Sequence, residues 1–146
     1  MPSVDTAWAE AERAVYRKLC EATGADDGDG AFLGAEPDES VVNWWALTSG
    51  GGDATEDTWA GCFAMPTPNA QITGLYADRE EAQRTAGLIQ KCLADTSNLN
   101  DLQGTNVHWF RMFAWPQVTQ RVDADGEQFW ALEIPCQLVY STSTTY

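Results

Sequence analysis

The sequence predicts an α+β fold: an antiparallel or mixed sheet with two packed helices and a long C-terminal β-hairpin. Three observations carry this prediction. Two segments, 5–23 and 78–94, repeat their apolar residues at helical spacing. The strand-like segments mostly follow one another instead of alternating with helices, which favours antiparallel neighbours. Residues 127–140 alternate apolar and polar side chains behind the turn signal Asp123-Ala124-Asp125-Gly126. A length of 146 residues suits one domain with one core. A single domain over 1–146 is expected, without linker or internal repeat. Its end, 141–146, reads as a tail that orders only on docking.

In chain order, the first helix covers 5–23, with Trp8, Ala11, Val15 and Leu19 on its apolar stripe and Glu10, Arg13 and Arg17 away from it. Ser3 or Asp5 suits its start and Gly24 its stop. Residues 24–40 read as a loop rich in Gly and acid. Val41 to Thr48 reads as a strand on β-branched and aromatic content. Trp44 and Trp45 are adjacent in it and must face opposite sides, so one enters the core and the other needs a second cover. Gly50-Gly51-Gly52 ends that strand, Thr58 to Met65 suggests another, and Ala70 to Ala77 a third. The second helix, 78–94, has Asp78 as cap, Glu80 and Glu81 in its first turn and Lys91 near its end. Ala82, Ala86 (or Thr85), Ile89 and Leu93 form its buried stripe. The hairpin pairs Val107–Val122 with Glu127–Tyr140. Trp130, Leu132, Ile134, Cys136, Leu138 and Tyr140 line one face of its second arm. Pro116 and Pro135 lack N–H donors and mark edges or bulges.

Composition narrows the function. The formal charge is −14, from 22 acidic and 8 basic residues, which repels nucleic-acid phosphate and anionic membranes. No apolar run approaches membrane-spanning length, and the N-terminus lacks a signal-peptide pattern, so folding in the cytoplasm is expected. The four cysteines are scattered without a CxxC pair and are expected as reduced thiols.

No chemistry-bearing motif is complete. Asp27, Asp29, Gly30 and Glu36 match the third, fifth, sixth and twelfth positions of a calcium loop. The first position, however, is Ala25, and a strand rather than a helix follows. His108 is the one histidine, so a Cys–His nucleophile site or a zinc site has little to draw on. Glu127 and Glu133 are a formal glycosidase pair, but with 22 acids chance pairs are expected. The glycines at 50–52 precede neither a lysine nor a helix, which excludes a phosphate loop. No catalytic residue, cofactor or metal is expected.

The seven tryptophans point instead to surface contacts. Trp109, Phe113 and Trp115 share one face of the hairpin's first arm, and Phe110, Met112, Ala114 and Val118 the other. Such an arm is either sandwiched inside the domain or covered by a symmetric neighbour. Trp44, Trp45, Trp59, Trp109, Phe113, Trp115 and Tyr146 are therefore the candidate interface residues. A carbohydrate-binding domain using exposed tryptophans is the alternative from another class.

The stretch Ala70-Gln71-Ile72-Thr73-Gly74-Leu75-Tyr76-Ala77-Asp78-Arg79-Glu80-Glu81-Ala82 resembles the strand-to-helix step of phage tail terminator and tail completion (head–tail joining) proteins. The closing Phe129-Trp130-Ala131-Leu132-Glu133-Ile134-Pro135-Cys136-Gln137-Leu138-Val139-Tyr140 resembles that family's final strand. The opening helix and the strand at Val41–Thr48 stand in the matching order. The insertion from Gly50 to Asn69 and the long last hairpin depart from its simplest members. The resemblance implies a ring, usually of six copies, at the head-proximal end of a tail in the virion. That ring ends tail-tube growth, docks a head or neck connector, and lets DNA pass without specific binding. It implies that residues 107–140 and the loop 50–69 contact neighbouring subunits or the tube. Asp26, Asp27, Asp29, Asp53, Glu56 and Asp57 become candidates for lumen-facing charge. Another neck ring, a head completion or connector protein, is the nearest alternative.

Overall fold

A computed structural model of the chain describes residues 4–38, 40–50, 67–94 and 105–141. Helix α1 (Val4–Thr23) buries Ala7, Ala11, Val15 and Leu19, each four residues from the last, with Tyr16 beside them. Trp8 departs from the expected stripe. It lies about 100° round the helix from Ala7, at the border of the stripe, and its indole Nε1 donates to Ser49 Oγ at 2.9 Å. Gly24 ends the helix in the left-handed region, φ 74°, and its N–H donates to Cys20 C=O at 2.9 Å.

The acidic segment 24–40, expected as a loop, contains two short strands, β1 (Asp26–Asp27) and β2 (Gly30–Leu33). Ala31, Phe32 and Leu33 are its apolar run, and pairing parallel to Trp45, Ala46 and Leu47 of β3 (Trp44–Ser49) covers them. Strand β3 starts later than expected because Asn43 takes φ 63° and bends the chain ahead of it. The bend is pinned from both ends. Asn43 N–H donates to Leu75 C=O at 2.6 Å, and its side-chain oxygen accepts from Ala77 N–H at 3.2 Å.

Strand β4 (Asn69–Tyr76) follows, then helix α2 (Arg79–Ala94). The helix is capped by Asp78, whose Oδ1 accepts from Glu80 N–H at 3.2 Å. It buries Ala82, Ala86, Ile89 and Cys92, with Leu93 half-buried beside them. The expected strand Thr58–Met65 lies outside the described residues, as do Cys62, Trp59, Asp53, Glu56, Asp57 and Tyr146.

The hairpin's first arm is not continuous. It forms β5 (Val107–Met112) and β6 (Gln117–Val122), interrupted at Phe113–Pro116. The second arm, β7 (Gln128–Tyr140), runs past both. Pro135 explains why the interruption falls where it does. Groups of one residue point to the same side of a strand, and Pro135 C=O accepts from Phe113 N–H at 2.8 Å. The missing Pro135 N–H therefore faces the break and not β4, so no ladder bond is lost. At the far end, Asp123 Oδ1 accepts from Asp125 N–H at 2.9 Å and Glu127 N–H at 2.8 Å, closing the turn the sequence marks.

Among the described residues the sheet has seven strands, in the order β1-β2-β3-β4-β7-β5, with β6 also on β7. The β1–β2 and β2–β3 pairs are parallel and the rest antiparallel. The fold is thus α+β, with a mixed sheet and two helices among the described residues. Both helices pack on one face, where Trp45, Leu47, Ile72, Leu132, Ile134 and Leu138 are almost wholly covered. Each such side chain contributes about 1.5–3 kcal/mol of burial. Gly74 allows the close pairing of β3 and β4. A Cβ there would stand 2.8 Å from Trp44 O and 2.9 Å from Tyr76 Cε2.

Candidate functional site

The helix-free face of the sheet is where the functional question lies. The alternation of β3 and β7 puts Trp44, Ala46, Ala131 and Val139 there, and all are buried. Trp44, 6% exposed, takes its cover from its own chain. Its Nε1 donates to Val41 C=O at 3.0 Å, and Phe32 meets its ring edge-on at 6.4 Å. Trp45, 1% exposed, lies under α1, packed on Tyr16 and donating to Thr23 Oγ1 at 3.1 Å. Both tryptophans are therefore covered within the protomer.

The aromatic surface sits at the break between β5 and β6. Trp115 is 77% exposed and Phe113 54%. Two apolar groups this open, on a short segment held at both ends by β7, form a ready contact surface. The kink separates what the sequence put on one face. Trp109 stays on the helix-free face beside Val139, half-buried, with the Arg111 guanidinium 5.6 Å from its ring centre. Phe110 turns to the core, on the face opposite Trp109, and Met112 and Val118 pack against its margin. Trp109 Nε1 and Thr73 Oγ1 are buried without a hydrogen-bond partner among the described residues.

Charge divides between the two sides of the sheet. Strands β5 and β6 contain Arg111 and Arg121 and no carboxylate, in a chain with 22 acids. At the opposite edge, β1 and the turn after it carry Asp26, Asp27 and Asp29, all exposed. Asp27 is tied down: its Oδ1 accepts from Tyr16 Oη at 2.6 Å. Burial, then this bond to a carboxylate, holds the Tyr16 phenol well above its ordinary range.

Among the described residues, enzyme-like arrangements are few. Ser141 Oγ and His108 Nε2 are hydrogen-bonded, a pair the sequence did not suggest because 33 positions separate them. Ser141 is buried, and Asn106 clasps the same corner: its Nδ2 donates to Ala7 C=O at 3.0 Å and Ser141 C=O at 2.8 Å. The pair sits inside the joint between α1, β5 and β7. Glu127 and Glu133 lie six residues apart along an extended chain, roughly 20 Å, too far for a glycosidase pair. Desolvation pushes the Cys136 thiol up to about 12, which keeps it protonated and unreactive at neutral pH. Among the described residues no group of three His, Cys, Asp or Glu is placed to hold a metal. No helix among them is long and apolar enough to cross a membrane.

No protein-family model and no curated protein matches this sequence. Solved structures do. A chain from the virion of a native gene transfer agent particle superposes with a TM-score of 0.51 at 12% identity, over 92% of this chain and 97% of that one. The two share a fold. A crystal structure from Akkermansia muciniphila overlaps 91% of this chain and 50% of that one, at 11% identity and a TM-score of 0.39. That overlap does not define a common fold.

Proposed function

We propose that this chain is a structural protein of a phage-like particle, located in the virion at the tail or neck. In this reading copies of it form a ring, six in number, at the head-proximal end of the tail. The ring ends tail-tube growth and offers its other side to a head or neck connector. The observation that carries the proposal is end-to-end sharing of a fold with a gene transfer agent virion chain, 92% of one against 97% of the other. Two further features support it. The open Phe113 and Trp115 offer contact area to a neighbour. A charge of −14 lets DNA pass a ring without adhering. On this reading no residue acts catalytically, and the contacts are with tube protein, connector and further copies.

Particles made without this protein test the reading under negative stain. Overlong tail tubes support a terminator. Full-length tails beside heads that have lost DNA assign the chain to another neck ring. Normal particles overturn both.

A further inference from the structure

We infer that two copies of this chain pair through strand β6, antiparallel and about a two-fold axis at Gln120, so that their sheets run on as one. An isologous contact of this kind joins two copies and stops. It is separate from any head-to-tail contact that closes a ring, and it stands without the ring reading.

A free backbone edge and exposed apolar surface coincide here. Strand β6 pairs with β7, and no described strand pairs with its other edge. Asp123 N–H donates to Glu127 C=O at 3.0 Å, so by alternation Thr119 and Arg121 bond inward to β7. Val118, Gln120 and Val122 then point their N–H and C=O groups outward. The strand contains no proline and a single charge, Arg121, so it is open to a further strand. Four large apolar side chains stand exposed among the described residues, and three of them, Phe113, Trp115 and Val122, lie on or beside this edge. Such a concentration marks a contact surface.

Register selects a second copy as the partner. With Gln120 of one copy opposite Gln120 of the other, Val118 stands opposite Val122, and every outward residue of both strands meets an outward residue. Any other antiparallel register of β6 on itself leaves one of them unmatched. Val118, Gln120 and Val122 stand opposite Leu132, Trp130 and Gln128, so all three side chains lie on the helix side of the sheet. Each Val122, 62% exposed, is therefore covered by the other copy's Val118. Charge does not oppose the pairing, although two chains of −14 repel over most of their surfaces. Strand β6 has no carboxylate, and Arg121 stands opposite Thr119 while its own Glu133 lies 3.9 Å away. The acidic tips fall at opposite ends of the pair. Their Asp123 residues are about 20 Å apart along the strands, beyond the screening length of about 10 Å at 0.1 M salt. Each copy's break at Phe113–Pro116 lies at the same end as the other's tip, which covers Trp115.

The test is a pair of measurements on the full chain. In sedimentation velocity over a dilution series, Gln120→Pro removes both central donors of the pair and is expected to weaken association about tenfold or more. Circular dichroism checks that it folds. Mild oxidation then reads the register. Residues on the two-fold axis have Cα atoms about 5.5 Å apart, within disulfide reach. Gln120→Cys is expected to form a covalent dimer quickly. Val122→Cys, equally open but about 14 Å from its own copy, is expected to do so at the parent's baseline rate, which the native thiols set. Mixing Val118→Cys with Val122→Cys is expected to restore the cross-link. A parent that stays monomeric at every concentration overturns the pairing, and so does a folded Gln120→Pro that associates like the parent. Equal cross-linking at 120 and 122 overturns it as well. Ring-sized species without a Gln120→Cys cross-link overturn the pairing while the ring reading stands. Association that needs added tail-tube protein and is lost in Gln120→Pro assigns the edge to a tube strand and overturns pairing between copies.

Discussion

Asn106 shows how much one side chain fixes. Its amide joins α1 to the end of β7, while its own C=O accepts from Ser141 N–H at 2.8 Å. Asn106→Asp replaces the donor by an acceptor facing two carbonyls, and is expected to cost about 1–3 kcal/mol in urea denaturation. The tyrosines give a pH signature. Burial raises Tyr16, Tyr76 and Tyr140 above the ordinary value of 10.0, Tyr76 to about 12. Above about pH 10 the unfolded chain releases protons that the native state keeps. Stability is therefore full below pH 10 and falls as pH rises through the native values. Melting temperatures measured from pH 8 to 11 should hold steady at first and then decline. At this scale the sequence was partly legible. That Trp44 and Trp45 face opposite sides follows from strand geometry. That Phe32 and Val41 cover Trp44 does not, because it depends on how an acidic segment folds back. The α1 stripe was misaligned by one residue because Ala7 carries a weaker apolar signal than Trp8.

Among the elements, β6 permits a sharp contrast. Gln120 N–H points outward and Thr119 N–H bonds to β7. Gln120→Pro is expected to melt within about 1 kcal/mol of the parent. Thr119→Pro is expected to lose about 1–3 kcal/mol through its broken ladder bond. Equal losses would show that the register is other than described. Both helices and strands β3, β4 and β7 were readable because their periodicity is strong and their caps are conventional. The break at Phe113–Pro116 was not, since Phe113 and Trp115 favour strands and Pro116 alone argued against one. Strands β1 and β2 escaped for the opposite reason. Gly and Asp signal loops, and only the neighbouring β3 recruits them.

For the whole molecule, the charge makes assembly depend on salt in a defined sense. Copies bearing −14 repel at long range, and the repulsion is screened over about 10 Å at 0.1 M salt. Raising salt from about 20 to 150 mM should therefore favour the larger species in sedimentation. A steady loss of oligomer over that range would mean that close ion pairs dominate instead. The exposed aromatics were legible as a type of feature but not by position, because which tryptophan stays open depends on where the first arm bends.

That bend also sets how the molecule carries load. Only β7 is continuous from the tip of the hairpin to the centre of the sheet, since the first arm is interrupted opposite Pro135. A pull on the Asp123–Gly126 tip travels into the body along that one strand and meets the eight-pair ladder with β4 in shear. All those bonds resist together and do not unzip in turn, while Trp115 stands open at the break in the other arm.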